Sequence, residues 1–499
     1  MAPPLGQMTE DTIAAIAKAQ TAGILESTGI YSYDLSDLIS LIPVVTPWRD
    51  MVARVKSPDG NPYAVWRSIL NLTNSQPDGS MGFDYAANEV QFSEQDFQAR
   101  YKPTGYSGLV TQDAYDLAYG YADPYAVSTF NTLNQVLIMD DRKLMGGQSF
   151  ALAAASAPTL TGHTTGGTIA TSSCYIGVAA RTGSGYYYGS GNSQGASTQI
   201  TGLTGSTNSV TATTTSVKGA VAYDWFYGTT GSTWYYITTT TVNTLLVTTP
   251  ITTNNALPSA TACPDLSTQW KGSAGVPTYN SSADNGSANA NDYDGLLANL
   301  AGDYNGSGQW VQSGTGTANP AINTSLDGAA LTLTGGTITE IEADIFVPLW
   351  NAVKCSPTSI MVNAQQAQKI ANLILGSTSA TTYLQTDPSG RMNITGGGRI
   401  GSIINAPAGG VEVPIEVHVS LPPGTIVGRS DRVPFPQANI SSVFEYRALR
   451  DTAQFDYGIS RVAGVAGGGP RKEYEIRSVG AFLCRAPVAQ AVIQNVAST

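Results

Sequence analysis

The sequence is short of charge. Asp, Glu, Lys and Arg make up 12% of its 499 residues, about half the roughly 25% usual in soluble chains. What charge there is runs negative, with 36 acidic against 25 basic residues and a formal net charge of −11. A protein that grips nucleic acid through phosphates needs clustered Lys and Arg, so phosphate-driven binding is excluded as the main task. Histidine occurs twice, at His163 and His418, without His–Cys or His–carboxylate ligand spacing, and no metal centre is expected. The four cysteines, Cys174, Cys263, Cys355 and Cys484, form no CxxC pair. That excludes a zinc ribbon or a dense disulfide framework and fits a reducing cytoplasm. No run of about 18 apolar residues offers a membrane-spanning helix. The opening MAPPLGQMTEDTIAAIAKAQ lacks a basic stretch, an apolar core and a small-residue cleavage site, so no secretory signal is expected.

Catalytic patterns are missing as well. Gly183-Ser184-Gly185-Tyr186 fails the GxSxG elbow. Gly396-Gly397-Gly398 lacks the Lys-Ser/Thr of a phosphate loop. The pair Asp140-Asp141 falls at a helix end beside basic neighbours, where solvated or interface charge is the plain reading. The expectation is therefore no enzyme, and no catalytic, cofactor-binding or metal-binding residue.

Hydrophobic residues make up 42% of the chain, enough for two or three domain cores. Thr9 to Ile24 is helix-like, with Thr9 as N-cap, and Pro43 and Pro47 then break an apolar, kinked strap. Pro58-Asp59-Gly60 and Pro77-Asp78-Gly79 are turn signals around YAVWRSILNLT, and MGFDYAANEVQFSEQDFQARYKP reads as the returning strand. Such a hairpin has no core of its own and is marginal in water, so it is expected to lie on another surface. Asp123-Pro124 starts the clearest helix, with Tyr125, Phe130, Leu133, Val136, Leu137 and Met139 at helical spacing and Gly146-Gly147 at its end.

Past residue 150 the composition turns to Thr, Gly, Ser and Tyr. CYIGVAA, SVTATTTSV, AVAYDWFYG and TWYYITTTTVNTLLV alternate between turns, which suggests a β-sandwich. The run GAVAYDWFYG resembles a strand of fibronectin type III or immunoglobulin-like modules. Tyr186, Tyr187, Tyr188, Trp225, Tyr227, Trp234 and Tyr236 read mainly as sandwich core and edge, with a sugar-stacking face as the sharper alternative. Residues 261–330 are turn-rich around DYDGLLANLAGD. Thereafter Thr339 can cap a helix to about Val353, SPTSIMVN reads as a strand, and AQQAQKIANLIL as a helix with Ala367, Ile370, Ala371 and Ile374 inward.

The order of these elements resembles the major capsid proteins of tailed bacteriophages over about residues 25–150 and 285–499. The likeness is carried by the hairpin before a helix ending DDRKLMGGQ, by DYDGLL, by SPTSIMVNAQQAQKIANLIL, by VPIEVHVSLPPGTIVGRSDRV and by the closing EYEIRSVGAFLCRAPVAQAVI. It implies an α+β capsid fold in six parts. These are an N-terminal arm (1–55), an extended loop hairpin (56–102), a peripheral domain with a long spine helix (103–150), an all-β, Ig/Fn3-like sandwich insertion facing outward (151–260), a loop-rich return (261–340), and an axial domain with closing strands (341–499). It also implies a virion shell subunit, assembled in the host cytoplasm, that forms hexamers and pentamers with itself around double-stranded DNA it does not bind specifically. A portal protein would sit at one vertex, with room for scaffold and decoration proteins and no membrane partner. The stretch between Lys56 and Lys102 holds no lysine, so no loop-tip isopeptide cross-link is expected, and the short arm favours a separate scaffold or none. The alternative reading is a secreted adhesin or surface-layer protein with an Ig-like module.

Overall fold

The computed structural model describes residues 43–57, 61–73, 83–84, 91–118, 123–150, 152–170, 173–188, 196–230, 233–251, 292–334, 337–375, 401–433, 442–460 and 470–497. The expected helix at Thr9–Ile24, the hairpin tip at Pro77 and the triplet Gly396–Gly398 lie outside the described residues. The chain divides into two units. One comprises Met1–Thr46, Pro103–Asp140 and Ala448–Gly480, the other Pro47–Lys102, Asp141–Arg447 and Ala481–Thr499.

After a short helix α1 (Pro47–Met51) and strand β1 (Ala53–Lys56), strands β2 (Tyr63–Thr73) and β3 (Gln91–Arg100) pair with each other as a two-stranded antiparallel sheet, with no third strand among the described residues. Strand β4 (Lys102–Thr111) leads into α2 (Gln112–Leu117), where the Thr111 hydroxyl accepts from the N–H of Ala114. The long helix α3 runs Pro124–Gly146. The Asp123 carboxylate starts it by accepting from the N–H groups of Tyr125 (3.0 Å) and Ala126 (3.2 Å). Of the apolar residues at helical spacing, Val136 and Met139 are buried, whereas Phe130 is 59% exposed.

Residues 152–251 fold as two antiparallel sheets around one core. Strands β5 (Thr159–His163), β8 (Ser209–Thr213) and β11 (Thr244–Val247) form one, in the order β11-β8-β5. Strands β6 (Ser173–Arg181), β7 (Ala196–Thr201), β9 (Ala222–Thr230) and β10 (Thr233–Thr240) form the other, in the order β10-β9-β6-β7. Period-two alternation sends Cys174, Ile176, Val178, Val210, Ala212, Tyr223, Trp225 and Tyr227 into the shared core. Numbered along the module, the sheets read 1-4-7 and 3-2-5-6, whereas an immunoglobulin domain has 1-2-5-4 and 3-6-7. The strand order is thus not that of an immunoglobulin domain, although GAVAYDWFYG resembles a strand of such modules. Two further differences are local. The run from Thr233 to Val247 breaks at Thr241-Val242-Asn243 into two strands in different sheets, and the Tyr-rich segment Gly183–Tyr188 is a helix, α4.

Helix α5 (Leu296–Ala301) is buried on all sides. Short strands β12 (Asp303–Tyr304), β13 (Trp310–Val311), β14 (Ile322–Ser325), β15 (Leu333–Thr334) and β16 (Thr337–Ile338) follow. A helical stretch then begins at Thr339, passes through a π turn at Glu342–Phe346 and ends as α6 (Val347–Val353). Thr339 is its first helical residue and supplies no side-chain cap, unlike the expectation. Strand β17 (Ser359–Val362), helix α7 (Ala364–Leu375), and strands β18 (Ser402–Asn405), β19 (Val411–Val417), β20 (Ile426–Arg429) and β23 (Ala491–Gln494) complete a six-stranded mixed sheet in the order β14-β23-β20-β17-β19-β18. Its inner strands β17, β20 and β23 are buried throughout. Helix α7 turns Ile370 and Ala371 inward.

The other unit has its own small core. Its share of the long strands β21 (Phe444–Ser460) and β22 (Arg471–Cys484) lies beside β4 in the order β21-β22-β4. Tyr474 is fully buried there, with its hydroxyl against the Ser128 hydroxyl (2.6 Å) and the Thr132 hydroxyl (2.9 Å) of α3. Gly108 leaves room for that ring, since a Cβ on it would stand 2.3 Å from the Tyr474 hydroxyl.

A buried ion pair lies inside the sandwich. Both the Nε and Nη2 of Arg181 donate to the Asp224 carboxylate, at 2.9 and 2.6 Å, and Nη1 donates to the Gly185 carbonyl. Removing one partner strands the other charge in the interior. Asp224→Ala is expected to destabilise the chain by about 3–5 kcal/mol, measured by chemical unfolding, while the exposed change Thr201→Ala should stay within about 0.5 kcal/mol.

Candidate assembly elements

Among the described side chains, the ribbon β2/β3 is buried at its foot alone. In register, Trp66 faces Phe97, Ala64 faces Ala99 and Arg67 faces Asp96. One face of the foot carries Ala64, Trp66, Phe97 and Ala99. Phe97, 2% exposed, stacks on Trp66 (5.6 Å between centroids) and Trp310 (5.8 Å) and meets Tyr304 edge-on (5.2 Å). The opposite face shows Val65 (46% exposed), Arg67 and Ile69 (59% exposed). From Arg67 and Asp96 outward, no described side chain of the ribbon is buried. Arg67 binds Asp96 (2.6 Å) and Glu94 (3.1 Å) across the strands, and that hydrogen bond holds the Asp96 carboxyl below its ordinary range.

A tight loop between β12 and β13 clasps the foot. The Asn305 side chain accepts from the N–H groups of Ser307 and Gln309, both at 3.0 Å, and the resulting turn carries the Gly308 carbonyl to the N–H of Gln98 at 3.1 Å. Gly308 has φ of +73°, and a Cβ there would lie 1.8 Å from the Asp96 carbonyl oxygen. Only glycine allows this approach.

Trp48 of α1 anchors the strap. It is 1% exposed, donates from Nε1 to the Leu144 carbonyl at 3.2 Å, and meets Phe444 edge-on and Phe482 at a tilt. The N–H of Arg49 donates to the Asp141 carboxylate at 2.8 Å, and the Ser420 hydroxyl donates to the same group. Burial holds the Asp141 carboxyl above its ordinary range against these donors.

The two ends of the sandwich region meet at a polar knot. The N–H and hydroxyl of Ser149 donate to the two oxygens of Asp294 at 2.7 and 3.0 Å. The N–H of Gly295 donates to the Gly147 carbonyl, and Lys143 pairs with Asp292 at 3.1 Å. Desolvation pushes the Asp294 carboxyl up to about 6, with Asp292 adding to it and Ser149 opposing.

No protein-family model matches this sequence, and no curated protein matches it. Solved structures do. A chain of the cyanophage A-1(L) capsid asymmetric unit aligns at 7% identity and a TM-score of 0.43, over 94% of this chain and 97% of that one. A chain of the capsid of an empty GTA particle aligns at 8% and 0.40, over 93% and 94%. The holo-SrpI encapsulin complex from Synechococcus elongatus aligns at 10% and 0.37, over 97% and 96%. At these scores the likeness decides nothing about function by itself.

The residues singled out in the sequence do not converge. His163 is exposed beside the Thr211 hydroxyl, whereas His418 is buried between Trp48 and Glu416. Asp140 and Asp141 are both buried, so Asp141 is an internal fixture and not the solvated or interface charge expected. Trp225 and Tyr227 belong to the sandwich core, and Tyr187 lies under Arg142 with its hydroxyl on the Val419 carbonyl. Cys174, Cys355 and Cys484 are free and buried. Among the described residues no group of His, Cys, Asp or Glu could hold a metal ion, and no helix is long and apolar enough to cross a membrane. Tyr304, Trp310 and Gly308, which hold the ribbon, lie in the stretch read as loose. Two-residue strands leave no periodicity from which to foresee them.

Gly308→Ala is expected to cost roughly 1–3 kcal/mol in backbone strain and to speed amide exchange at Gln98 by at least about tenfold. Asp294 sets a pH dependence. Its carboxyl holds the proton more tightly folded than unfolded, so its contribution is complete below about pH 4 and is lost as pH rises through about 6. The residue keeps some solvent contact, so the loss is on the order of 1–3 kcal/mol. Unfolding free energies between pH 3.5 and 7 should show that slope for the native chain and not for Asp294→Asn.

Proposed function

We propose that this chain is a structural shell subunit, the major capsid protein of a tailed phage, which assembles with copies of itself into an icosahedral head around double-stranded DNA. The ribbon carries this reading. A two-stranded sheet about 35 Å long has, among its described side chains, buried ones only at its foot, and an isolated pair is marginal in water. Its exposed face alternates Val65 and Ile69 with the Arg67–Asp96–Glu94 cluster, a pattern suited to burial against another protein. In this reading residues 56–102 lie on an adjacent subunit, α3 is the spine of a peripheral domain, and the six-stranded sheet belongs to an axial domain at the centre of hexamers and pentamers. The sandwich faces outward, where decoration proteins can also bind. A portal protein occupies one vertex, and the shell assembles in the host cytoplasm with a separate scaffold protein or none. The net negative charge suits a wall that faces DNA without holding it, and the subunit has no enzymatic role.

Electron microscopy of the expressed chain tests this. Closed shells or ring-shaped capsomers are expected, and monodisperse monomers would refute the reading. Replacing residues 68–95 with Gly-Gly should lower the assembled fraction at least about tenfold while circular dichroism still reports a folded chain. With no lysine between Lys56 and Lys102, denaturing gels of intact particles should show one band and no covalent ladder.

A further inference from the structure

The outer face of the three-stranded sheet is a ladder of hydroxyls. Thr159, Thr213 and Thr244 stand side by side in register, and Thr161, Thr211 and Leu246 form the next row. His163 and Ser209 form the third. Rows repeat about every 6.8 Å along the strands and neighbours about every 4.8 Å across them. Thr159, Thr161, His163, Thr213 and Leu246 are exposed, and Thr211 and Thr244 are partly so. The inward residues Val210, Ala212 and Val247 belong to the core, so packing fixes which side faces out.

Two further observations mark this face. The Thr159, Thr161, Thr213 and Thr244 hydroxyls make no hydrogen bond to the described residues, whereas Thr211 meets His163 at 3.0 Å and Ser209 donates to the Thr165 carbonyl. The module is also almost without charge. Between Leu152 and Ile251 the Lys, Arg, Asp and Glu residues are Arg181, Lys218 and Asp224. The first and last pair inside the other sheet, and Lys218 pairs with Asp303 at 3.7 Å. Asp327 accepts from the Asn243 side chain beside Thr244.

We propose that this threonine ladder is a binding surface for a neutral, hydroxyl-rich polysaccharide. A face without charge gives no purchase to a polyanion. With Leu246 as its one large exposed apolar residue, it lacks the anchors of a protein interface. Each threonine offers a hydroxyl that both donates and accepts, next to a methyl. That matches the alternation of O–H and C–H on a sugar chain. Single hydroxyls exposed to water add little affinity, so binding depends on many copies displayed together. That valency rests on the shell reading above, but the test supplies it independently.

The full chain, biotinylated at one terminus and coupled densely to beads, is offered fluorescent dextran, mannan and galactan, with dextran sulfate as the charged control. Retention of at least one neutral polymer is expected, unchanged in about 0.5 M salt, where charge interactions are screened. Thr159→Val, Thr161→Val and Thr213→Val combined should lower it at least fivefold, and Thr201→Val in the other sheet should not. Valine suits a strand, and an unchanged thermal midpoint verifies the fold. Thr161→Lys serves as a second variant, expected to lose neutral polymer and gain dextran sulfate. No retention of any neutral polymer, retention indifferent to these variants, or retention of dextran sulfate alone by the native chain would overturn the proposal. Particles that form but bind nothing defeat this inference alone, and bead retention without particles defeats the shell reading alone.

Discussion

An antiparallel pair with no third strand buries neither face, so β2 and β3 persist only where something outside them covers them. In this chain the cover is local and aromatic. Phe97 fills the space between Trp66, Trp310 and Tyr304, and Gly308 brings the backbone of a distant loop onto Gln98. These interactions set the direction in which the ribbon leaves its unit, and they stop at Arg67 and Asp96. Further along, the strands keep their register through the Arg67 cluster and cross-strand pairs, which contribute little in water. The ribbon is therefore held at its base, and its described side chains further out are not buried. A partner surface that covers the outer part also removes the reason for its marginal stability.

The scarcity of charge has a counterpart in where the charges are placed. Arg181 and Asp224 pair inside the sandwich, Arg447 and Arg485 share the buried carboxylate of Glu445, and Arg429 joins Glu416 to Asp431. Lys143 and Asp292 close the base of the sandwich region. Ion pairs in such positions add little net stability but penalise any arrangement that separates them. A sequence with few charges has thus placed many of them where they fix geometry. Much of the sandwich surface falls to Thr, Ser, Asn and Gly, which stay hydrated without repelling a neighbour.

The sequence foretells structure where the signal is local. Asp123-Pro124 fixes the start of α3 because cap and ring act within one turn, and alternation in CYIGVAA and AVAYDWFYG marks strands because inward positions recur every second residue. It fails where the answer depends on distant partners. Strand order in the sandwich follows from which edges meet in space, so a likeness in GAVAYDWFYG could not reveal that β11 lies beside β8. Phe130 fits the helical period yet faces out, because period alone does not say how wide a stripe the neighbouring elements cover. The foot of the ribbon was half legible. Its turns and strands could be read, but the residues that hold it lie in the turn-rich stretch around Tyr304 to Trp310.

The segment around β23 joins more of the second unit than its length suggests. The Gln490 side chain accepts from the N–H of Ser430 and donates to its carbonyl, within the six-stranded sheet. Gln494 accepts from the N–H of Gly219, and Asn495 reaches both the Tyr223 hydroxyl and the Ser325 hydroxyl. The buried amides of Gln494 and Asn495 fasten the sandwich to the sheet, and Asn495 does so in a left-handed conformation, with φ of +57°. Gly219 and Gln494 are 275 residues apart, so this attachment closes a very long loop. Contacts of that separation form late, after the local strands and helices that they join. The sandwich can therefore complete its own core first and dock second. Its buried base then fixes the direction in which the hydroxyl ladder faces, as a loose tether would not.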